Sequence, residues 1–295
     1  MKKLSTILFA SLLSVSGLAI ADDVKQSYQG KTLNANVVYA NGKSYGDNVV
    51  LLLHGTLTHN GRSTYADLQN NLAKEGVSSL SMNLSLGLND RRGEYDCATP
   101  HTHKHTDAIA EVGVWMDWLK KQGVKKVSVM GHSRGGNQIA WYVSKKDNDA
   151  INKVILLAPA TGEQQSGKEY QDKYGKPLNS VLKNAKEMVK AGKGKELMKE
   201  TDFIYCEKTQ VTAEAFVDYY EVKPKFDTPT VLKSIKKPTL VIVGSEDTVV
   251  PELPKRLETI KGQKNVTITT IDGGDHFFVD LANEDVATSV SKFLK

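Results

Sequence analysis

Apolar residues fall along this chain in short strand-length clusters, separated by stretches in which they recur every three or four positions. The runs are Asn48–Leu53 (NVVLLL), Val77–Leu84 (VSSLSMNL), Val124–Met130, Lys153–Leu157 (KVILL), Thr239–Val243 (TLVIV) and Val266–Ile271 (VTITTI). A short apolar run bounded by turn residues reads as a strand buried on both faces. Between the runs, Thr64–Glu75 sets Tyr65, Leu68, Leu72 and Ala73 at helical spacing, and Gly76 follows as a stop. Thr106–Lys121 aligns Ile109, Val112, Met116 and Leu119, with Trp115 and Trp118 widening the face. Helical stretches also follow Ser133 and cover Pro251–Ile260 and Asn283–Leu294. Strand alternating with helix predicts an α/β fold, doubly wound, with a mostly parallel sheet covered by helices.

The alternation stops at Ala160 and resumes near Lys237. The intervening 160–236 stretch is lysine-rich and polar, with helical pieces at Val181–Val189 and Thr212–Tyr220. It is too long for a loop and reads as an inserted helical cap or lid. Residues 22–159 and 237–295 then form the core domain. The insertion leaves the sheet at a strand's C-terminal end, where open α/β sheets place their ligands. Its lysines read first as a solvated face, with attraction of anionic substrates or membrane surfaces as the sharper alternative.

The first 21 residues stand apart from this pattern. A basic start, an apolar run and Ala19-Ile20-Ala21 have the form of a secretory signal peptide, which predicts an exported chain, periplasmic or secreted. The residue directly after Ala21 is Asp22, not the cysteine of a lipid anchor, and no other apolar stretch is long enough to span a bilayer, so no stable membrane anchor is expected. Removing Lys2 and Lys3 lowers the formal net charge from +5 to about +3. With no basic motif interleaved with aromatics, nucleic acid is not an expected partner. Oligomeric state is not readable. Cys97 and Cys206 both lie in the exported part, where a disulfide between them is the default.

Chemistry enters at VSVMGHSRGG, residues 127–136, where a predicted strand meets a predicted helix. A G-x-S-x-G match alone is expected by chance in roughly one such chain in ten, from ordinary Gly and Ser usage. The strand–turn–helix context makes it specific. Such a turn strains the serine backbone and needs small residues two places either side, here Gly131 and Gly135. A serine hydroxyl needs a base, normally a histidine oriented by a carboxylate. Only His276 follows the last predicted strand, and Asp247 lies in the loop just after TLVIV. The order Ser133, Asp247, His276 is the one the elbow motif calls for. Spacing leaves Glu246 open as the acid, and Asp272 and Asp275 are also near.

With LLLHG, GHSRGG, GSEDTVVP and GGDHFF in this order, the chain resembles the α/β-hydrolase superfamily, in its lipase, esterase and proline-aminopeptidase-like branch. The resemblance spans nearly all of the chain after residue 21. It implies a serine hydrolase acting on a small-molecule ester or acyl substrate, without a cofactor. Ser133 becomes the nucleophile, His276 the general base and then acid, and Asp247 the residue that fixes the imidazole. Backbone N–H groups of Arg134 and Thr56 become the oxyanion hole, with Leu57 as rival to Thr56. HGT at 54–56 departs from the HGGG of some esterases and argues against that subgroup.

Two other functions keep a foothold. An aminopeptidase-like amidase uses the same three residues. A metal-binding exported protein on a hydrolase scaffold is suggested by His101, His103 and His105, which alternate in one loop but lack a clear fourth ligand. The favoured reading of these histidines is packing or hydrogen bonding, with no metal.

Overall fold

The structure, a computed structural model, describes residues 20–40, 42, 45, 49–145 and 148–295. The segment read as a signal peptide lies outside the described residues except for Ile20 and Ala21, which open the first strand. In chain order the elements begin with β1 (Ile20–Tyr28), β2 (Lys31–Tyr39), β3 (Val49–Leu53), α1 (Ser63–Lys74), β4 (Ser78–Asn83), α2 (Asp107–Lys121), β5 (Val127–His132), α3 (Arg134–Lys145) and β6 (Ile151–Leu157). Then come α4 (Gly167–Tyr174), α5 (Leu178–Lys190), β7 (Leu197–Phe203), β8 (Cys206–Thr212), α6 (Ala213–Tyr220) and α7 (Thr228–Leu232). The chain closes with β9 (Thr239–Gly244), α8 (Leu253–Leu257), β10 (Val266–Ile271) and α9 (Leu281–Leu294).

One eight-stranded sheet has the order β1-β2-β4-β3-β5-β6-β9-β10. From β4 to β10 every pairing is parallel, while β1 with β2 and β2 with β4 are antiparallel. The central strands β3, β4, β5 and β9 are buried at every position, as the apolar runs of β3 and β9 require, and β4 buries three serines as well. Helices cover the sheet and bury Leu68, Leu72, Trp115, Leu119, Ile139 and Val290 against it. The edge strand β10 departs from the expectation of two buried faces: of VTITTI only Ile271 is fully buried.

The hairpin of β1 and β2 was not anticipated from the apolar runs. β1 is the outer edge of the sheet, and over residues 21–28 every second side chain is exposed. An edge strand needs little apolar surface and carries a weak signal.

Between β6 and β9, where the alternation breaks, the chain builds a group of elements that is not purely helical. β7 and β8 form an antiparallel hairpin beside α4, α5 and α6. This cap has its own core, with Tyr170, Leu178, Met198, Phe203, Val211, Phe216, Tyr219 and Tyr220 buried together. Its C-terminal part returns earlier than 236, because Val231, Leu232 and Ile235 pack into the main core. The Cys97–Cys206 disulfide joins the loop after β4 to the start of β8, with a Cα–Cα distance of 5.3 Å. Beside it, His101 pairs with the cap strand through its N–H to the Gln210 carbonyl and its carbonyl to the Thr212 N–H, at 2.7 and 3.0 Å. A bridge closing so long a loop typically contributes about 2–4 kcal/mol. No helix among the described residues is long and apolar enough to cross a membrane.

Candidate active site

Strand β5 ends at His132 and α3 begins at Arg134, so Ser133 is the single residue of the turn. Its φ is +55°, in the left-handed region that non-glycine residues rarely occupy. The turn is locked by backbone bonds: Ser133 N–H to the Leu157 carbonyl, and the Ala160 N–H to the Ser133 carbonyl, each 2.9 Å. A Cβ on Gly131 would sit 2.3 Å from the Gly135 carbonyl oxygen, and one on Gly135 would sit 2.2 Å from that of His54. The glycines around the serine are therefore required by backbone approaching backbone.

β5, β9 and β10 deliver the three expected side chains to the same end of the sheet. His276 Nε2 lies 2.9 Å from Ser133 Oγ, and its Nδ1 lies 2.8 Å from Asp247 Oδ2. Asp247 Oδ1 accepts the Val249 and Val250 N–H groups at 2.8 and 3.0 Å. Burial opposes ionisation of Asp247, yet the bonds from His276 and these amides outweigh it and hold its pKa below the usual carboxylate value. Asp275 turns back to cap Phe277 and Phe278, while Glu246 and Asp272 are exposed. Of the acids that spacing left open, Asp247 is the one in contact with His276.

A buried relay missed in the sequence holds this arrangement. Tyr65 Oη accepts the Gly55 N–H at 2.8 Å, so its own O–H donates to His132 Nδ1, also 2.8 Å away. That fixes the proton of His132 on Nε2, which donates to the His276 carbonyl at 2.7 Å. The relay ties three loops together: the one after β3, the elbow, and the one carrying His276. Burial, reinforced by the neighbouring His276, depresses the His132 pKa to about 3 and keeps the ring neutral. Tyr65→Phe strands the Gly55 N–H and His132 Nδ1. The expected cost is about 1–3 kcal/mol in urea unfolding, the usual penalty for a buried group left unpaired. Unchanged stability would show that the relay carries no weight. Its members are 67 and 144 positions apart along the chain, and no local motif marks them.

The loop after β3 is braced in the same way. Arg91, buried despite its place in NDRRGE, donates to the carbonyls of Thr58, Leu84 and Gly93 and to Asn83. His54 Nε2 accepts the Leu84 N–H at 3.0 Å, and its Nδ1 donates to the Gly55 carbonyl at 2.8 Å. Of the expected oxyanion donors, Arg134 supplies the first N–H of α3, a position without an intrahelical acceptor. Thr56 sits beside it: its Oγ1 accepts from Arg134 Nε at 3.0 Å. Leu57, with φ +55°, packs at the seam between core and cap.

The three loop histidines are buried in aromatic surroundings. His101 Nδ1 meets His103 Nε2 at 3.1 Å, and His103 Nδ1 meets Tyr219 Oη at 3.0 Å. His105 Nε2 lies 3.2 Å from Asn137 Oδ1. The ring nitrogens of His103 are thus spent on protein partners. Among the described residues no group of three His, Cys, Asp or Glu is arranged to hold a metal. The loop serves as the floor on which the cap rests.

Known proteins place the chain by family and by fold. Residues 46–284 match the family model described as "Serine aminopeptidase, S33". The chain belongs to that family of α/β hydrolases. Est1E from Butyrivibrio proteoclasticus shares the fold at a TM-score of 0.62 and 18% identity, with 92% of this chain and 96% of that one covered. The Pyrococcus furiosus esterase PF2001 superposes at 0.60 and 18% identity, covering 94% and 91%. A monoacylglycerol lipase from Paleococcus ferrophilus gives 0.59 and 18%, covering 89% and 98%. No curated protein matches the sequence. The chain is accordingly a hydrolase of the α/β-hydrolase fold, and identities this low carry the fold alone.

Proposed function

We propose that this hydrolase cleaves carboxylic esters through an acyl-enzyme on Ser133. The observation that carries the reading is the continuous contact from Ser133 Oγ through His276 to Asp247. His276 Nε2 takes the hydroxyl proton as Oγ attacks the ester carbonyl, and the Arg134 and Thr56 N–H groups stabilise the oxyanion. The intermediate collapses to the acyl-enzyme and the alcohol departs with the proton from His276. Water, deprotonated by the same histidine, then releases the acid and restores Ser133. Asp247 holds the imidazole proton on Nδ1 and stabilises the cation formed in each half.

The alternative aminopeptidase-like activity requires a site for a protonated amine. The nearby charged side chains of the cap-facing crevice, Arg134 and Lys173 against the single acid Glu169, favour anions instead. We also propose that the protein is exported, to the periplasm or beyond. The pattern of residues 1–21 and the Cys97–Cys206 disulfide support this.

The test is reaction with a fluorophosphonate, followed by intact mass, with kcat/KM compared for p-nitrophenyl butyrate and alanine p-nitroanilide. One adduct on Ser133 and faster ester cleavage are expected. An anilide turned over as fast as the ester would overturn the ester reading in favour of the amidase.

A further inference from the structure

Arg134 carries a second feature, in its side chain rather than its amide. Arg134 is buried, 5% exposed as a whole residue, yet all the hydrogen-bond partners of its guanidinium are neutral. Nε donates to Thr56 Oγ1 at 3.0 Å, and Nη1 lies 3.5 Å from His105 Nδ1. The Gln165 amide oxygen, turned toward it, accepts from Nη1 and Nη2 at 2.5 and 3.1 Å. The carbon of the guanidinium stands 5.3 Å from the centre of the Tyr219 ring. His105 is kept neutral by burial and by the Arg134 charge itself. No carboxylate among the described residues forms an ion pair with Arg134. A buried cation without a counter-ion is costly, so its surroundings favour an incoming anion.

The space it faces is the crevice between core and cap, lined also by Lys173, Glu169, Tyr174, Tyr205 and Tyr220. Lys173 likewise has no ion-pair partner among the described residues. Its Nζ rests 3.5 Å above the centre of the Tyr205 ring. Burial lowers its pKa, and the positive field of Arg134 adds to this against the pull of Glu169. Two unpaired cations, one hydrogen-bonded to the Thr56 side chain, thus share one aromatic-walled crevice.

We infer that Arg134 and Lys173 form a subsite for a carboxylate on the substrate, so that the preferred esters are monoanionic, with the carboxylate a few atoms from the scissile carbonyl. The inference rests on the proposed ester chemistry for the position of the scissile bond, but the recognition of the anion is independent of turnover. The guanidinium, with Thr56 and Gln165 already satisfied, offers its remaining N–H, and the Lys173 ammonium offers the second contact to the carboxylate oxygens.

Two arms test this. In the first, monomethyl glutarate and neutral methyl valerate are titrated calorimetrically into Ser133→Ala protein and into the same protein carrying Lys173→Gln. The anionic ester is expected to bind at least about tenfold more weakly once Lys173 is removed, the loss of one charge-assisted contact, while the neutral ester is unaffected. In the second, kcat/KM for p-nitrophenyl hemiglutarate over p-nitrophenyl valerate is expected to exceed unity in the wild type and to fall about tenfold in Lys173→Gln. The neutral ester serves as internal reference. Absence of binding by monomethyl glutarate, or equal binding with and without Lys173, would overturn the subsite. Binding that depends on Lys173 with neither ester hydrolysed would keep the subsite and overturn the esterase reading.

Discussion

Ser133→Ala is expected to lower kcat on p-nitrophenyl butyrate by about 10⁴–10⁶-fold, the range seen when the nucleophile of a serine hydrolase is removed. The fall should appear in kcat rather than KM, because the hydroxyl acts on the reacting carbonyl and contributes little to holding the substrate. Fold stability should barely change. Ser133 sits at φ +55° whichever L side chain it carries, so alanine inherits the same strain. Its partner His276 stays held by Asp247 and by its carbonyl bond to His132. Ser133→Gly completes the argument: it relieves the left-handed strain and is expected to raise stability by about 1 kcal/mol while being equally inactive. A Ser133→Ala protein that keeps more than a few per cent of wild-type turnover would remove Ser133 as the nucleophile.

The second large effect is loss of stability in mild acid. His54, His101, His103, His105 and His132 are all buried, and burial is the leading cause that lowers the pKa of each. His54 and His132 are pushed to about 3 and His101 to about 4. In the unfolded chain each titrates near about 6.5. Below that value the unfolded state binds protons that the folded state refuses, so stability falls as pH falls. His54, His101 and His132 each cost about 2 kcal/mol between pH 7 and pH 5, and His103 and His105 act in the same direction. Glu111 and Asp107 act in the opposite sense: burial raises their pKa, so the folded state takes up protons first and acid favours it. Against a typical total of about 5–15 kcal/mol, the histidines still dominate. Urea unfolding followed from pH 7 to pH 5 is expected to lose most of its free energy, with acid unfolding between about pH 4 and 5. A flat profile over that interval would mean that these rings are solvated and titrate freely.

What could be read in advance divides along physical lines. The central strands announce themselves because both faces are buried, so NVVLLL, KVILL and TLVIV contain almost nothing else. The elbow is legible because three requirements coincide at one place: a strand, a serine between small residues, and a helix. Asp247 and His276 are legible because each follows its own strand at the same sheet end. The hairpin β7–β8 was hidden for the opposite reason. LMKETDF and CEKTQVT show one face to water, and their apolar positions pack into a small local core rather than a long one. Arg91 and Arg134 look like surface residues in NDRRGE and GHSRGG, and only tertiary contacts reveal that both are buried. The Tyr65–His132 relay is invisible for a further reason: a hydrogen bond between distant residues leaves no period in the chain. The loop histidines, which alternate like metal ligands, pack against Tyr95, Phe203 and Tyr219.

The disulfide has a topological consequence. Joining Cys97 to Cys206 closes a covalent ring that contains β5, Ser133, α3, β6 and the first half of the cap. Asp247 and His276 lie beyond it, on the last third of the polypeptide. A chain made from its N-terminus can therefore complete the ring, with the serine turn inside it, before the two residues that contact the serine end of the site have been synthesised. The ring and the tail that carries Asp247 and His276 are thus two separate parts of the chain, and the contact to Ser133 Oγ is made only when the C-terminal part has joined the ring.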